Sequence, residues 1–202
     1  MATQTLQISV GLKVTDNEGR SALEALQEKM GLRDRVSDLS REELWEVDVD
    51  ASTIEEARAT LDGLVRRTNI FANPNKHRYV ITELGESGSD DDAGAPAMSS
   101  AAGGDLAADE VAILVRDRES TVGESVLSAI RGMGVDDVVG VRKWTRWRVG
   151  LTKSPARGDP AVLDLIQRIG VATGRRDGLL SNPHSQVSRA VLPWGEEKVL
   201  AA

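Results

Sequence analysis

The sequence predicts a mixed α+β protein in which one small unit, ordered strand, helix, strand, strand, helix, strand, occurs twice. Three observations predict it. Apolar residues change from every second position to helical spacing and back, an acidic Gly/Ser-rich segment interrupts the chain, and matching landmarks lie on both sides. We therefore divide the chain into a first repeat (residues 1–84), a flexible linker (85–108) and a second repeat (109–202).

The first repeat begins with a strand and a helix. From Leu6 to Val14 every second residue is apolar, which is the period of a half-buried strand. Helical spacing follows from Asp16 to Met30, and Gly31 is suited to the left-handed residue that ends a helix.

Two short strands are expected next, at Val36–Ser40 and Leu44–Val49. In the second of them the apolar residues alternate with Glu46 and Asp48, so the two carboxylates point away from the apolar face.

A capping box at Ser52-Thr53-Ile54-Glu55 then predicts the start of a second helix. The turn motif Asn73-Pro74 stops that helix, and Tyr79–Ile81 forms a last strand.

The second repeat follows the same scheme. Its predicted elements are a strand at 111–115, a helix at 122–133, strands at 138–141 and 147–151, a helix from 159, and a strand at 187–192. Gly134 ends the first of these helices, and Asp159-Pro160 begins the second with a capping carboxylate and a proline in the first turn. The turn motif Asn182-Pro183 precedes the last strand.

Positional matches between the repeats indicate a duplication. Gly19 and Leu26 correspond to Gly123 and Ile130 at an offset of 104. The triplet beginning at Trp45 recurs 102 residues later, and Asn73-Pro74 recurs 109 residues later as Asn182-Pro183. Such landmarks in one order are not expected from shared periodicity alone.

The predicted element order is that of a ferredoxin-like βαββαβ fold, an antiparallel sheet with both helices on one face. One repeat of about 80 residues is near the lower size for a self-sufficient core. We therefore expect the two repeats to cover each other as an internal pseudo-dimer.

Composition excludes several classes of function. The net charge of −7 argues against nucleic-acid binding, since that affinity comes mainly from basic side chains on phosphates. No apolar run approaches the ~20 residues that cross a bilayer, and the first residues do not resemble a secretion signal, so we expect a cytoplasmic protein. With no cysteine, disulfides and thiolate chemistry are excluded.

No catalytic site, metal site or cofactor is predicted. His77 and His184 both follow an Asn-Pro turn, where a solvated loop histidine is the simplest interpretation. No phosphate-binding loop and no metal-ligand spacing is found in the sequence.

A basic strand segment is the strongest candidate interaction site. It comprises Arg142, Lys143, Trp144, Arg146 and Arg148. One interpretation is a docking surface for an acidic partner, which includes the other repeat, where Glu46 and Asp48 occupy the corresponding strand. The alternative is a sheet side that faces solvent.

The repeats resemble a known family, PurS, the small subunit of phosphoribosylformylglycinamidine (FGAM) synthase. The first repeat carries Asp16-x-x-Gly19-x-x-Ala22-x-x-x-Leu26, Met30-Gly31 and Ile70-Phe71-Ala72-Asn73-Pro74. The second carries Gly123-x-x-Val126-x-x-x-Ile130, Met133-Gly134 and Val138-Val139-Gly140-Val141-Arg142-Lys143. The chain departs from the family in its tandem arrangement, in Leu39–Glu43, in lacking a glycine before Lys143, and in Glu119, where the family has Asp.

The resemblance implies a protein that is no enzyme on its own. PurS bridges an ATP-dependent synthetase subunit and a glutaminase subunit of this purine-biosynthesis ligase, supporting transfer of ammonia to formylglycinamide ribonucleotide. Those two subunits are the expected partners, and self-association beyond the pseudo-dimer is left open. Two alternatives also stay open: a small-molecule sensing module on the same fold, and an enzyme similar to small dimeric oxygenases.

Overall fold

The computed structural model describes residues 2–86, 106–174 and 177–200. These residues form one antiparallel sheet of seven strands together with four α-helices, which confirms the mixed α+β class. In chain order the elements are β1 (Ala2–Leu12), α1 (Asn17–Glu24), β2 (Val36–Ala51), α2 (Ile54–Arg67), β3 (His77–Glu86), β4 (Glu110–Asp117), α3 (Val122–Gly132), β5 (Val138–Leu151), α4 (Pro160–Gly170), β6 (Gln186–Val191) and β7 (Glu197–Leu200). The strand order in the sheet is β3-β1-β2-β5-β4-β6-β7.

The prediction of two central strands in each repeat is wrong. In the first repeat both belong to the 16-residue strand β2, and in the second both belong to the 14-residue strand β5. The polar residues Arg41–Glu43 lie between the two predicted strands, but they include no Gly, Pro or Asn that would form a tight turn. Their side chains instead form ion pairs from within the strand.

The chain forms two compact units, and each contains segments of both repeats. Within the described residues, unit 1 comprises 2–14, 43–86 and 120–143. Unit 2 comprises 15–42, 106–119, 144–174 and 177–200. Helix α1 of the first repeat therefore lies in unit 2 with α4 of the second repeat, and α3 of the second repeat lies in unit 1 with α2 of the first.

The core of unit 1 is built on β1, where Leu6, Ile8 and Val10 alternate with polar residues and are almost fully buried. Helix α2 covers these strands with its apolar face, of which Leu61 is fully buried. Ile130 of α3, from the second repeat, completes the same cluster.

The core of unit 2 has the reciprocal composition. Ile113 of β4 and Ile166 of α4 come from the second repeat. Leu26, which follows α1 directly, and Val36 and Leu39 of β2 come from the first repeat and are buried in the same cluster. Each hydrophobic core is thus closed by residues that lie far away in the sequence.

The helix starts follow the predicted capping chemistry, with one shift. At α2 the capping residue is Thr53 rather than Ser52, and its hydroxyl accepts from the Glu56 amide at 3.2 Å. The reciprocal carboxylate is that of Glu56, not Glu55, and it accepts from the Ser52 amide at 2.9 Å. At α4 the predicted cap Asp159 is confirmed, since it accepts from the Ala161 amide at 2.9 Å.

A π-helical turn at Ala25–Lys29 extends α1 and explains a change of offset between the repeats. Leu26 corresponds to Ile130 at an offset of 104, whereas Met30 corresponds to Met133 at 103. The π turn, closed by the Met30 amide on the Ala25 carbonyl at 3.1 Å, absorbs the one extra residue. The predicted helix-ending Gly31 and Gly134 both have positive φ, 67° and 79°.

The predicted linker, residues 85–108, falls largely outside the described residues, which omit 87–105. At its start, Gly85 and Glu86 are the last residues of β3 rather than linker. The repeat boundaries themselves stay a prediction from the sequence.

The corresponding glycines Gly123 and Gly19 provide a test of the helix positions. A methyl group on Gly123 would collide with the backbone carbonyl of Val141, whereas one on Gly19 would lie 3.2 Å from an Asp16 carboxylate oxygen and 3.3 Å from the Leu39 carbonyl. We expect Gly123→Ala to lower the free energy of unfolding by about 2–3 kcal/mol and Gly19→Ala by less than about 1 kcal/mol. Urea unfolding midpoints at unchanged m-value measure this, and equal losses would contradict the close approach of α3 to β5.

Candidate interaction site on the long strands

Alternation along β2 separates an apolar row from an acidic row, as the sequence predicts. Trp45, Val47 and Val49 are buried in the core of unit 1. Glu46 and Asp48 lie between them in the strand and so point to the opposite side of the sheet. These carboxylates are not exposed to solvent, because Glu46 is 2 % exposed and Asp48 8 % exposed.

Arg142 of β5 neutralises both of these buried carboxylates within unit 1. Its Nε lies 3.2 Å from Glu46 Oε2, and its Nη1 lies 3.0 Å from Asp48 Oδ2. Neighbouring polar residues of β1 complete the set: Thr5 donates to Asp48 at 2.8 Å and Gln7 to Glu46 at 3.4 Å. Buried carboxylates need such partners, since desolvation would otherwise outweigh their charge stabilisation.

Burial and the two carboxylates act in opposite directions on the pKa of Arg142. Burial acts to lower the pKa of its guanidinium group, but the attraction of Asp48 and Glu46 and their hydrogen bonds outweigh burial and raise it above its ordinary value. Arg142 therefore stays charged, and its fork of donors holds two carboxylates of the facing strand at once.

Lys143, the next residue along β5, makes a more exposed pair. Its ammonium lies 2.7 Å from Glu43 and 4.9 Å from the ring centre of Trp45. The side chain of Glu43 is 46 % exposed, so solvent screens this pair far more than the Arg142 pairs.

In unit 2 the basic residues of β5 meet other carboxylates. Arg146 is 2 % exposed and pairs with Glu42 of β2. Arg148 pairs with Glu110 of β4, whose carboxylate also accepts from the Ala107 amide at 3.0 Å. Burial acts to raise the pKa of Glu110, but the hydrogen bonds from Arg148 and Ala107 outweigh it and lower that pKa.

Trp144 is buried among cationic side chains of unit 2. It is 1 % exposed, with the guanidinium groups of Arg116 and Arg189 at 4.8 Å and 5.8 Å from its ring centre. A solvent-facing sheet side, one of the two interpretations of this segment, is therefore wrong for Trp144 and Arg146. A role of these residues in docking a separate protein stays a prediction.

The structure thus brings acidic residues of the first repeat together with basic residues of the second. It pairs Glu46 and Asp48 with Arg142, and it adds Glu42 and Glu43 of the first repeat, which were not predicted as site residues. Glu110, also not predicted, pairs with Arg148 within the second repeat. A signal for Glu42 and Glu43 was present: two adjacent carboxylates in a segment without turn residues are candidates for pairing with a basic strand.

The two Asn-Pro motifs form the same turn in both units. The side-chain oxygen of Asn73 accepts from the Asn75 amide at 2.9 Å, and that of Asn182 accepts from the His184 amide at 3.0 Å. The residue four positions on closes each turn: His77 Nδ1 accepts from the Asn73 amide at 3.1 Å, and Gln186 Oε1 from the Asn182 amide at 2.8 Å. His77 is therefore a turn residue rather than a freely solvated one.

A cation fixes the proline carbonyl of each turn as well. Lys13 donates to the Pro74 carbonyl at 2.6 Å, and Arg118 donates to the Pro183 carbonyl at 3.2 Å. These matched interactions give the turn motif a structural role in both units.

Substituting Arg142 and Lys143 one at a time compares how much a buried and an exposed ion pair contribute to the free energy of unfolding. Arg142→Met leaves Glu46 and Asp48 buried without their shared cation, and we expect a loss of about 2–4 kcal/mol in the free energy of unfolding. Lys143→Met breaks the exposed pair and is expected to cost at most about 1 kcal/mol. Urea unfolding at pH 7 measures both variants, and a Lys143→Met loss equal to that of Arg142→Met would contradict this account.

Comparison of the whole sequence with protein-family models and with curated proteins finds no match. Within residues 2–86, 106–174 and 177–200, no three His, Asp or Glu side chains are grouped so that they could hold a metal ion. In the same ranges no helix has the length and apolar character needed to cross a membrane.

Proposed function

We propose that this chain is a non-catalytic bridging subunit of a glutamine-dependent FGAM synthase. In this role it would hold an ATP-dependent synthetase subunit and a glutaminase subunit together while ammonia passes between them. The proposal rests on the resemblance of both repeats to PurS. It is supported by one observation: residues that carry the resemblance occupy positions where this fold requires those residue types.

Three positions illustrate that support. Gly123 lies where only a residue without a side chain leaves room for the Val141 carbonyl. Gly31 and Gly134 adopt the positive φ that glycine tolerates best. Asn73 forms an Asx turn with its side chain. Proteins that share a fold are expected to share motifs that the fold requires, so these positions support the resemblance.

We further propose that each unit is a ferredoxin-like fold assembled from both repeats, in place of one such fold per repeat. Unit 1 contains β1, β3, α2 and the second half of β2 from the first repeat, with α3 and the start of β5 from the second. These four strand segments and two helices are the same number of elements as in one βαββαβ unit. An internal pseudo-dimer of this kind would exchange its first helix and the strand after it.

A duplicated chain suits a bridge between two unlike partners. A symmetric homodimer presents the same surface twice, whereas two linked repeats diverge independently and present two different surfaces. The repeats have diverged in charge, since the first carries 11 basic and 15 acidic residues and the second 14 basic and 12 acidic. They differ locally too, as in His77 and Gln186 of the matched turns.

Reconstitution tests the proposed role. Purified synthetase and glutaminase subunits are assayed for formation of FGAM with and without this chain. With glutamine as nitrogen source, we expect turnover to fall at least about 10-fold when the chain is left out. Without it the two subunits are not held together, so ammonia is lost to solvent before it reaches the synthetase. With ammonium salt as nitrogen source, the matched control, turnover should not depend on the chain. Full glutamine-driven turnover in its absence would rule the role out.

A further inference from the structure

An open groove of about 530 Å³ lies on the surface of unit 1. Helix α2 forms one wall with Ala59, Gly63 and Leu64, and the segment that follows α3 forms the other with Met133 and Val135. Met133, the residue directly after α3, is 54 % exposed. The walls therefore include apolar side chains that are accessible to a ligand, Met133 above all.

Two helix ends and one carboxylate contribute negative charge to this groove. Helices α2 and α3 both end beside it, at Arg67 and Gly132, and the carboxyl end of a helix carries partial negative charge. Asp137 adds a carboxylate to the lining. Arg67 is the one cationic residue among the described residues that line the groove, and it is exposed.

In unit 2 an arginine side chain, that of Arg168, occupies the position that corresponds to this groove. The buried face of α4 matches that of α2 at an offset of 105, so that Ala57 and Leu61 correspond to Val162 and Ile166. At this offset Gly63 corresponds to Arg168. The Arg168 guanidinium donates to the carbonyl of Met30 at 3.4 Å, and Met30 corresponds to Met133 of the unit 1 groove.

Arg168 thus places a cation at the end of the first helix of its unit, where Asp177 also pairs with it at 3.3 Å. In unit 1, Gly63 leaves this position open, since a methyl group built on it would meet nothing within 4 Å. Glycine is a poor helix former in mid-helix, and nothing in its packing calls for it here.

We propose that the unit 1 groove binds one arginine side chain of a partner protein, in the position that Arg168 takes in unit 2. The aliphatic stem would pack on Leu64, Met133 and Val135, and the guanidinium would meet the helix ends and Asp137. The inference does not depend on the proposed role in FGAM synthesis, because it uses only the comparison of the two units.

The test uses the full chain and N-acetyl-L-arginine amide as probe, followed by ¹H–¹⁵N correlation spectra. We expect saturable shifts of the Gly63 and Gly134 amides in the wild type. The neutral, nearly isosteric N-acetyl-L-citrulline amide should bind at least about 5-fold more weakly, because it lacks the charge. Gly63→Ala is the matched control that leaves the groove open, so its affinity should stay within about 2-fold of the wild type.

Two reciprocal variants test the comparison between the units. Gly63→Arg should fill the groove with its own side chain and weaken binding at least about 10-fold. Arg168→Gly should open a second site, seen as new saturable shifts at Gly31. The spectra themselves report whether each variant is folded.

Three outcomes would overturn the proposal. They are the absence of saturable shifts in the wild type, equal binding of the citrulline probe, and unchanged binding in a folded Gly63→Arg variant. Equal citrulline binding would instead indicate a groove for a neutral small molecule.

Discussion

The contribution of both repeats to each hydrophobic core is the feature on which the rest of the structure depends. Leu26, after α1, completes the core of unit 2, and Ile130 of α3 completes the core of unit 1. The strands β2 and β5 are unbroken, and each contains residues of both units. Because each core contains residues of both repeats, neither repeat buries its apolar residues alone. Linkage in one chain keeps the two sets of core residues at high local concentration.

The polar sides of β2 and β5 form ion pairs between the two repeats. Buried carboxylates and guanidinium groups stabilise a fold only if every charge has a partner, so they penalise any register that leaves one unpaired. Arg142 holding Glu46 and Asp48, and Arg146 holding Glu42, define how the acidic strand of one repeat meets the basic strand of the other. Apolar burial supplies most of the stability, and we expect these pairs to favour this alignment of β2 with β5.

Much of the fold could be predicted from the sequence, for reasons visible in particular residues. Helix ends with strong local chemistry, such as Gly31 and Asp159, were predicted where they occur. The unbroken strand β2 was not predicted because the polar segment Arg41–Glu43 interrupts the apolar alternation, although it lacks turn residues. The exchange could not be predicted, since periodicity identifies the apolar face of a helix but not which repeat covers it. For the candidate site, the opposite charges of Glu46, Asp48 and the β5 arginines were informative, whereas the burial of Trp144 depends on tertiary packing.

Cutting the chain between the repeats measures the central claim most directly. A specific protease site is placed within residues 87–105, outside the described residues, and the cut protein is examined by native mass spectrometry and by urea unfolding. If each core needs helices from both repeats, the two fragments stay together as a 1:1 complex, and each fragment, once isolated in urea and returned to buffer, lacks a cooperative unfolding transition until its partner is added. Two fragments that separate as monomers, each with its own cooperative transition, would contradict the exchange.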